Sequence, residues 1–338
     1  MTSKSTKNRL PEPLYETEHG AAWVGDARLL LSCVESESVD LALTSPPFAL
    51  QRQKEYGNED QETYVDWLLG FCQEVYRVLR PAGSFVLDLG GAYSKGRPIR
   101  SLHNYRILLR LCDELNFRLA EEFFWYNPAK LPSPIEWVNK RKIRAKDAVN
   151  TVWWFSKTDY PKADVRRVLV PYSKRMQKLL EDAKRFYTPK KRPSGHDISA
   201  RFAHSNGGAI PSNLLEIPNT ESNSAYLRMC KLAKVKSHPA RFPGKLPSFF
   251  IDFLTEPEDL VLDFFAGSNT TGAAAEKAGR HWMAFDSNLE YLAASVFRFV
   301  EHLPEREAVS VYRNILRDSK KKVQVSAPQE KLAFSVNS

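Results

Sequence analysis

Residues Asp259–Phe285 read DLVLDFFAGSNTTGAAAEKAGRHWMAF, and this stretch decides the fold. Leu260-Val261-Leu262 is a short buried-strand pattern. Asp263 to Asn269 is a turn through Phe265, Gly267 and Ser268, and Thr270 to Ala278 has helical character. Trp282-Met283-Ala284-Phe285 is a second strand, closed by Asp286. Strand, glycine turn, helix, strand and terminal acid make a nucleoside-binding half-fold. The G-x-G-x-x-G fingerprint is absent, because Gly267 and Gly272 stand alone. A pyrophosphate therefore fits poorly, which disfavours a nicotinamide dehydrogenase. A cationic adenosyl ligand beside Asp263 and Asp286 fits better, and S-adenosylmethionine is such a ligand. Asp286 is placed to accept from ribose hydroxyls. Asp263 also reads as an acid favoured near a helix N-terminus.

About 220 residues earlier, Val39-Asp40-Leu41-Ala42-Leu43 reads as a buried parallel strand, followed by Thr44-Ser45-Pro46-Pro47-Phe48. This puts a hydroxyl, two prolines and an aromatic at the C-terminal edge of a sheet, where open α/β folds bind ligands. Pro46 and Pro47 have fixed φ and no N–H, so the turn is rigid and its carbonyls are available as acceptors. Phe48 adds a flat apolar face. Rigid acceptors beside a stacking ring suit the exocyclic amino group of a nucleobase. The alternative is a proline-rich turn with no ligand. Ser84-Phe85-Val86-Leu87 is another strand, which sets Asp88 near the same sheet edge as Ser45.

The acceptor motif followed by the cofactor motif resembles the β class of DNA amino-methyltransferases, and within it the cytosine-N4 enzymes. The likeness is carried by Thr44–Arg52 (TSPPFALQR), Asn127–Arg144 (NPAKLPSPIEWVNKRKIR), Lys146–Lys157 (KDAVNTVWWFSK), Arg192–Ile198 (RPSGHDI), His238–Pro243 (HPARFP) and Ser268–Gly272 (SNTTG). It covers roughly residues 14 to 300. The resemblance implies a Rossmann-like α/β mixed sheet with circularly permuted motif order and a smaller target-recognition lobe. The expected divisions are a methyl-transfer half over 1–157, a target-recognition region over 158–236, a cofactor half over 237–303, and a tail of unassigned role over 304–338. It also implies that Asp26, in the turn before a short helix at Arg28 to Val34, lies near the adenine of S-adenosylmethionine. Asp26 reads equally as a helix N-cap. Phe242 and Pro243 resemble the family segment that packs on the methionine end of the cofactor.

The 338 residues, 43% hydrophobic and 26% charged, are ordinary for a soluble α/β protein with a large core. No apolar run approaches 18 residues, so no membrane span is expected. Cys33, Cys72, Cys112 and Cys230 are far apart and read as reduced thiols of a cytoplasmic protein, and no metal site is expected. The net charge of +9 is concentrated: Val165 to Ala240 holds 15 Lys/Arg against 5 Asp/Glu. That excess is an electrostatic footprint for a phosphate backbone, with Lys191 and Arg192 beside a Pro-Ser-Gly-His turn as first candidates. A solvated basic lobe is the bland alternative. A second basic loop, Asn127 to Val149, contains Lys140, Arg141, Lys142 and Arg144 and is also expected to touch DNA.

In the expected reaction the acceptors Ser45 Oγ, the Pro46 carbonyl and Asp88 receive the amino hydrogens of a flipped cytosine, and Phe48 stacks on the base. Ser45, where Asp or Asn would suit adenine, points to cytosine N4. The resemblance implies the palindrome CAGCTG, methylated on its inner cytosine, a monomer acting on double-stranded DNA, and a cognate restriction endonuclease as functional counterpart. An adenine-N6 enzyme and a non-catalytic, cofactor-binding DNA regulator are the alternatives. A C5-cytosine enzyme is excluded, because Cys72 lies in the apolar stripe of a helix and follows Phe71, not proline.

Overall fold

The computed structural model describes residues 9–48, 63–182, 193, 204–220, 224–317 and 323–324. The chain enters as a hairpin of β1 (Tyr15–Glu16) and β2 (Gly20–Val24), antiparallel to each other. Helix α1 (Ala27–Cys33) starts at Asp26, whose carboxylate accepts from the Arg28 N–H at 2.8 Å, so the N-cap reading holds for this residue. The six residues of β3 (Val39–Thr44) are all buried, as a central parallel strand covered on both faces requires.

Helix α2 (Tyr64–Val78) turns Tyr64, Leu68, Phe71, Cys72, Val75 and Val78 inward at helical spacing. It runs directly into β4 (Leu79–Leu89). After α3 (His103–Asp113), β5 (Arg118–Tyr126) and β6 (Val149–Ser156) form an antiparallel pair. They are followed by α4 (Lys174–Glu181), β7 (Leu214–Glu216), α5 (Ala225–Ala233) and α6 (Lys245–Leu254). The cofactor half then runs β8 (Leu260–Asp263), α7 (Thr270–Lys277), β9 (His281–Asp286) and α8 (Leu289–Ala294). Helix α9 (Glu305–Arg317) and β10 (Val323–Gln324) complete the described chain.

These strands form one mixed sheet in the order β10-β1-β2-β9-β8-β3-β4-β6-β5-β7. Its parallel centre is β2, β9, β8, β3 and β4. One face is covered by α1, α2 and α3 over Leu31, Phe85, Trp153 and Phe264. The other is covered by α5, α6 and α9 over Phe250, Trp282, Phe297 and Ile315.

The β5–β6 pair is not the edge of the sheet: β7 adds outside β5 in parallel register, Trp125 opposite Leu215. Residues 158–236 showed no sheet pattern in the sequence because β7 is only three residues long. The same segment supplies Tyr226, Met229 and Cys230 to the core. Within the stretch from residue 304, whose role the sequence left unassigned, the described residues pack on the sheet. Ala308, Val309, Tyr312 and Ile315 form one apolar stripe on α9 and are buried, and β10 pairs with β1. Arg306, Arg313 and Arg317, exposed on the other face of this helix, masked the stripe.

Because Ile315 is fully buried against this core, Ile315→Ala is expected to lower unfolding stability by about 2–5 kcal/mol. Urea unfolding checks this, and a change within about 0.5 kcal/mol would return α9 to the status of a tail.

Candidate active site

Strand direction brings the functional residues together. β3, β4, β8, β9 and β2 run parallel, so Ser45, Asp88, Asp286 and Asp26 all emerge at one sheet edge. β6 runs antiparallel to β4 and contributes the start of its strand, Asn150, to that edge. β5, antiparallel to β6, contributes its end. These residues border a cavity of about 680 Å³, within the usual range for a small-molecule site.

On the β8–β9 side the wall is acidic and aromatic. Gly267, at φ 52, turns its N–H onto the Asp286 carboxylate at 2.8 Å. This left-handed conformation is one that glycine adopts without steric cost. The other Asp286 oxygen accepts from the Asn288 N–H at 2.8 Å. Burial raises the Asp286 carboxyl above the usual carboxylate range. Phe265 forms a floor with Trp67 and Phe71, with ring centroids 5.4 and 4.9 Å away. Asp26, Phe242, Ser268 and Thr270 also border the cavity.

Asp263, Asn269 and Pro243 do not line the cavity. Asp263 is buried behind the wall and accepts from Thr44 Oγ1 at 2.7 Å, Thr271 Oγ1 at 2.6 Å and the Phe265 N–H at 3.1 Å. Nor is it in the first turn of α7, since it ends β8 seven residues before that helix. Asn269 caps α7 through the Gly272 N–H at 3.0 Å and donates to the Tyr15 hydroxyl at 3.0 Å. Pro243 is buried at the entrance to α6.

On the β4–β6 side, Ser45 Oγ donates to one Asp88 oxygen at 3.0 Å and Asn150 Nδ2 donates to the other at 3.1 Å. Asp88 is buried, and loss of solvation pushes its pKa up to about 6. With its proton turned to Asp88, the Ser45 oxygen keeps its lone pairs for a ligand. Pro46, Pro47 and Phe48 border the same space. Phe48 lies so close to Gly90 that a Cβ there would come within 2.4 Å of the ring. Gly90 therefore sets where the Phe48 ring can lie.

Sequence reasoning missed several cavity residues. Trp67 and Phe71 were read only as part of an apolar helix stripe. Trp125, Asn127, Lys130, Asn150 and Asn219 come from β5, β6 and the segment after β7. Single Asn residues leave no spacing signal, although NPAK and KDAVN lay within the matched runs. His238 also borders the cavity. Its ring packs edge-on against Tyr291 at 4.8 Å, and Nδ1–H donates to the Ala240 carbonyl at 2.6 Å. Burial lowers its pKa to about 4, so the imidazole is neutral at pH 7.

The expected DNA contacts are exposed and partly engaged within the chain. Lys140 and Arg141 pair with Glu136 at 3.3 and 3.0 Å, and the Arg144 Nε donates to the Pro98 carbonyl at 3.0 Å. Lys142 stands exposed at φ 55. Lys191 and Arg192 lie outside the described residues. Among the described residues, no His/Cys/Asp/Glu cluster suits a metal ion and no helix is long and apolar enough to cross a membrane.

A permuted Rossmann-like sheet with an acidic, aromatic cofactor wall facing a Ser-Pro-Pro-Phe turn defines a DNA amino-methyltransferase. A model of the DNA methylase family matches residues 39–297, and the chain belongs to that family of S-adenosylmethionine-dependent enzymes. It is 58% identical to the Type II methyltransferase M.PvuII of Proteus hauseri over 317 residues, 94% of each chain. The solved structure of the PvuII DNA methyltransferase (cytosine-N4-specific) superposes with a TM-score of 0.76 at 50% identity, covering 94% of this chain and 99% of that one. The putative DNA modification methylase TTHA0409 of Thermus thermophilus, complexed with S-adenosyl-L-methionine, shares the fold with a TM-score of 0.51 at 22% identity, covering 86% and 95%.

Asp88 has to be ionised to act as a charged acceptor for Ser45 and to take up a proton through it. With its pKa raised to about 6, the single-turnover rate at saturating cofactor and DNA is expected to climb through about pH 6 and level off above. Asp88→Asn removes this limb and lowers the rate. The stability sign is opposite. The folded pKa exceeds the unfolded value of about 3.9, so the contribution of this carboxyl is complete below that value and is lost as pH rises through about 6. A wild-type rate that is flat between about pH 5 and 7.5 would exclude this role.

Proposed function

We propose that the chain transfers a methyl group from S-adenosylmethionine to N4 of a cytosine flipped out of duplex DNA. The proposed target is the inner cytosine of CAGCTG, and the role is protection of that site from a cognate restriction endonuclease. The observation that carries this reading is the Ser45–Asp88–Asn150 hydrogen-bond chain, set across one cavity from the Gly267–Asp286 contact. The likeness to a cytosine-N4-specific enzyme supports the choice of base. The resemblance of Asn127–Arg144 and Arg192–Ile198 to that class supports the palindrome. The enzyme acts in this reading as a monomer in the cytoplasm.

S-adenosylmethionine, when bound, supplies an electrophilic methyl group. The rest belongs to the protein. Asp286 and Asp26 border the space for the ribose and adenine, Phe265 packs beneath, and Phe242 borders the methionine end. Phe48 stacks on the flipped base, which leaves the duplex at a cost of a few kcal/mol. Ser45 Oγ and the Pro46 carbonyl accept the two amino hydrogens and favour a tetrahedral nitrogen with its lone pair directed at the methyl carbon. As the nitrogen–methyl bond forms, the sulfur–methyl bond would break and S-adenosylhomocysteine leave; the amino nitrogen is then cationic, and the Ser45–Asp88 pair is the route for its proton. Holding nitrogen and methyl in line supplies the proximity contribution. Lys140, Arg141, Lys142 and Arg144, with Lys191 and Arg192, are the proposed phosphate contacts.

The decisive experiment is methylation of random duplex DNA, nucleoside mass spectrometry and mapping of the modified positions. N4-methylcytosine in CAGCTG is expected, whereas N6-methyladenine would establish the adenine reading instead.

Two substitutions separate the walls of the cavity. Ser45→Ala is expected to cut turnover at least tenfold with cofactor affinity unchanged, because its acceptor acts as the amino group changes geometry. Reduced affinity with normal turnover would contradict that role. Asp286→Ala is expected to weaken cofactor binding while duplex binding stays the same. Isothermal titration giving wild-type affinity would remove Asp286 from the cofactor wall.

A further inference from the structure

Sheet order gives the cavity two sides. Asp286 and Gly267 belong to the β8–β9 side of β3, while Asn150, Trp125 and Asn127 belong to the β4–β6–β5 side. The second side is therefore where the edge of a flipped base lies, and it carries an amide whose orientation is fixed. Asn127 immediately follows β5, and its backbone N–H donates to the Ala148 carbonyl at 2.9 Å. Its side-chain Oδ1 accepts from the Ala129 N–H at 3.1 Å and the Asn219 N–H at 3.1 Å. Both partners are donors, so only the amide oxygen can face them, and Nδ2 is the group turned away. Asn219 is tied down in turn, its Nδ2 donating to the Arg241 carbonyl at 2.7 Å. Asn127, Ala148 and Asn219 all border the cavity.

A cytosine whose amino hydrogens are taken by Ser45 and Pro46 still presents two acceptors, N3 and O2. A protein satisfies them with donors, and a donor already oriented before binding adds discrimination at little entropic cost. We propose that Asn127 Nδ2 donates to the N3/O2 acceptor edge of the flipped cytosine, making Asn127 a specificity-determining residue for the target base. If Nδ2 serves N3, thymine, with an N3–H donor, would set two donors against each other and leave both unpaired, the kind of mismatch that rejects an analogue most strongly. This inference rests on the cytosine-N4 reading above.

The test uses the full chain and three duplexes that differ only at the target base: cytosine, 3-deazacytosine (O2 retained, N3 replaced by C–H), and a 2-aminopyridine C-nucleoside (N3 retained, O2 replaced). Asn127→Asp keeps the size and the acceptor for Ala129 and Asn219 but removes the donor. On cytosine its single-turnover rate is expected to fall at least tenfold, with cofactor affinity within about twofold of wild type. On the analogue lacking the acceptor that Nδ2 serves, the wild-type to variant ratio should collapse toward one, and this identifies N3 or O2. A ratio that stays the same on all three bases overturns the proposal and leaves Asn127 a purely structural residue. Wild type alone gives an independent check should the variant fold poorly: one analogue must react at least tenfold more slowly than cytosine, and equal rates on all three overturn the proposal. Failure of the cytosine-N4 reading is recognised separately, as wild type that leaves the cytosine duplex unmodified.

Discussion

The carboxylate of Asp263 joins the two halves of the protein. It receives Thr44 Oγ1 at 2.7 Å from the end of β3 and Thr271 Oγ1 at 2.6 Å from the first turn of α7. Thr44 is the residue before Ser45, and α7 follows the glycine turn of the cofactor wall. The ladder between β3 and β8 pairs only Leu41 with Val261 and Ala42 with Leu262. The side-chain bridge therefore continues the registration past the end of the backbone hydrogen bonds. Methyl transfer tolerates little misplacement of donor and acceptor, and Asp263 fixes both relative to one atom group. Burial raises its pKa to about 6. Three donors nevertheless support the charged form, and without the carboxylate two buried hydroxyls would lose their acceptor.

The surrounding packing serves the same geometry. Helix α2 brings Trp67 and Phe71 under Phe265, so the cofactor wall rests on the helix that leads into β4, the strand bearing Asp88. On the opposite face, Arg298 donates to the Ser268 carbonyl at 2.7 Å and packs over the Tyr226 ring at 4.7 Å. The turn around Gly267 is thus braced by α5, part of the segment expected from the sequence to be a separate recognition region. The Ser268 turn and α5 are thus tied together through Arg298, consistent with α5 burying Tyr226, Met229 and Cys230 in the core.

Much of this was legible in the sequence, for identifiable reasons. β3, β8, β9 and the second half of β4 are largely apolar runs, the pattern of central parallel strands, and Ser45, Asp88 and Asp286 lie at or next to their ends. The helices α2 and α6 showed clear apolar stripes. What was not legible has no periodicity or belongs to long-range pairing. β7 is too short to show alternation, and the placement of Asn127 beside Asn219 depends on β7 joining β5 across about 90 residues. Asp263 was legible as a strand-ending acid, but not as one facing inward, since the sequence does not show which hydroxyls cross the sheet to meet it. Lys191, Arg192 and much of the basic segment lie outside the described residues, so its charge remains a sequence observation.

The choice of serine at position 45 follows from its neighbour. Asp88 is buried and 3.0 Å from Ser45 Oγ. A carboxylate at position 45 would put two like charges at hydrogen-bond distance in a desolvated site, and one of them would have to stay protonated. Serine avoids this. Its hydroxyl donates to Asp88 and becomes a better acceptor through that polarisation. Asn150 completes the arrangement by orienting Asp88 from β6. The hydroxyl oxygen is therefore neutral in itself and polarised by a charged partner. In the proposed reaction this would let one group accept from an amino group before transfer and pass on its proton after it.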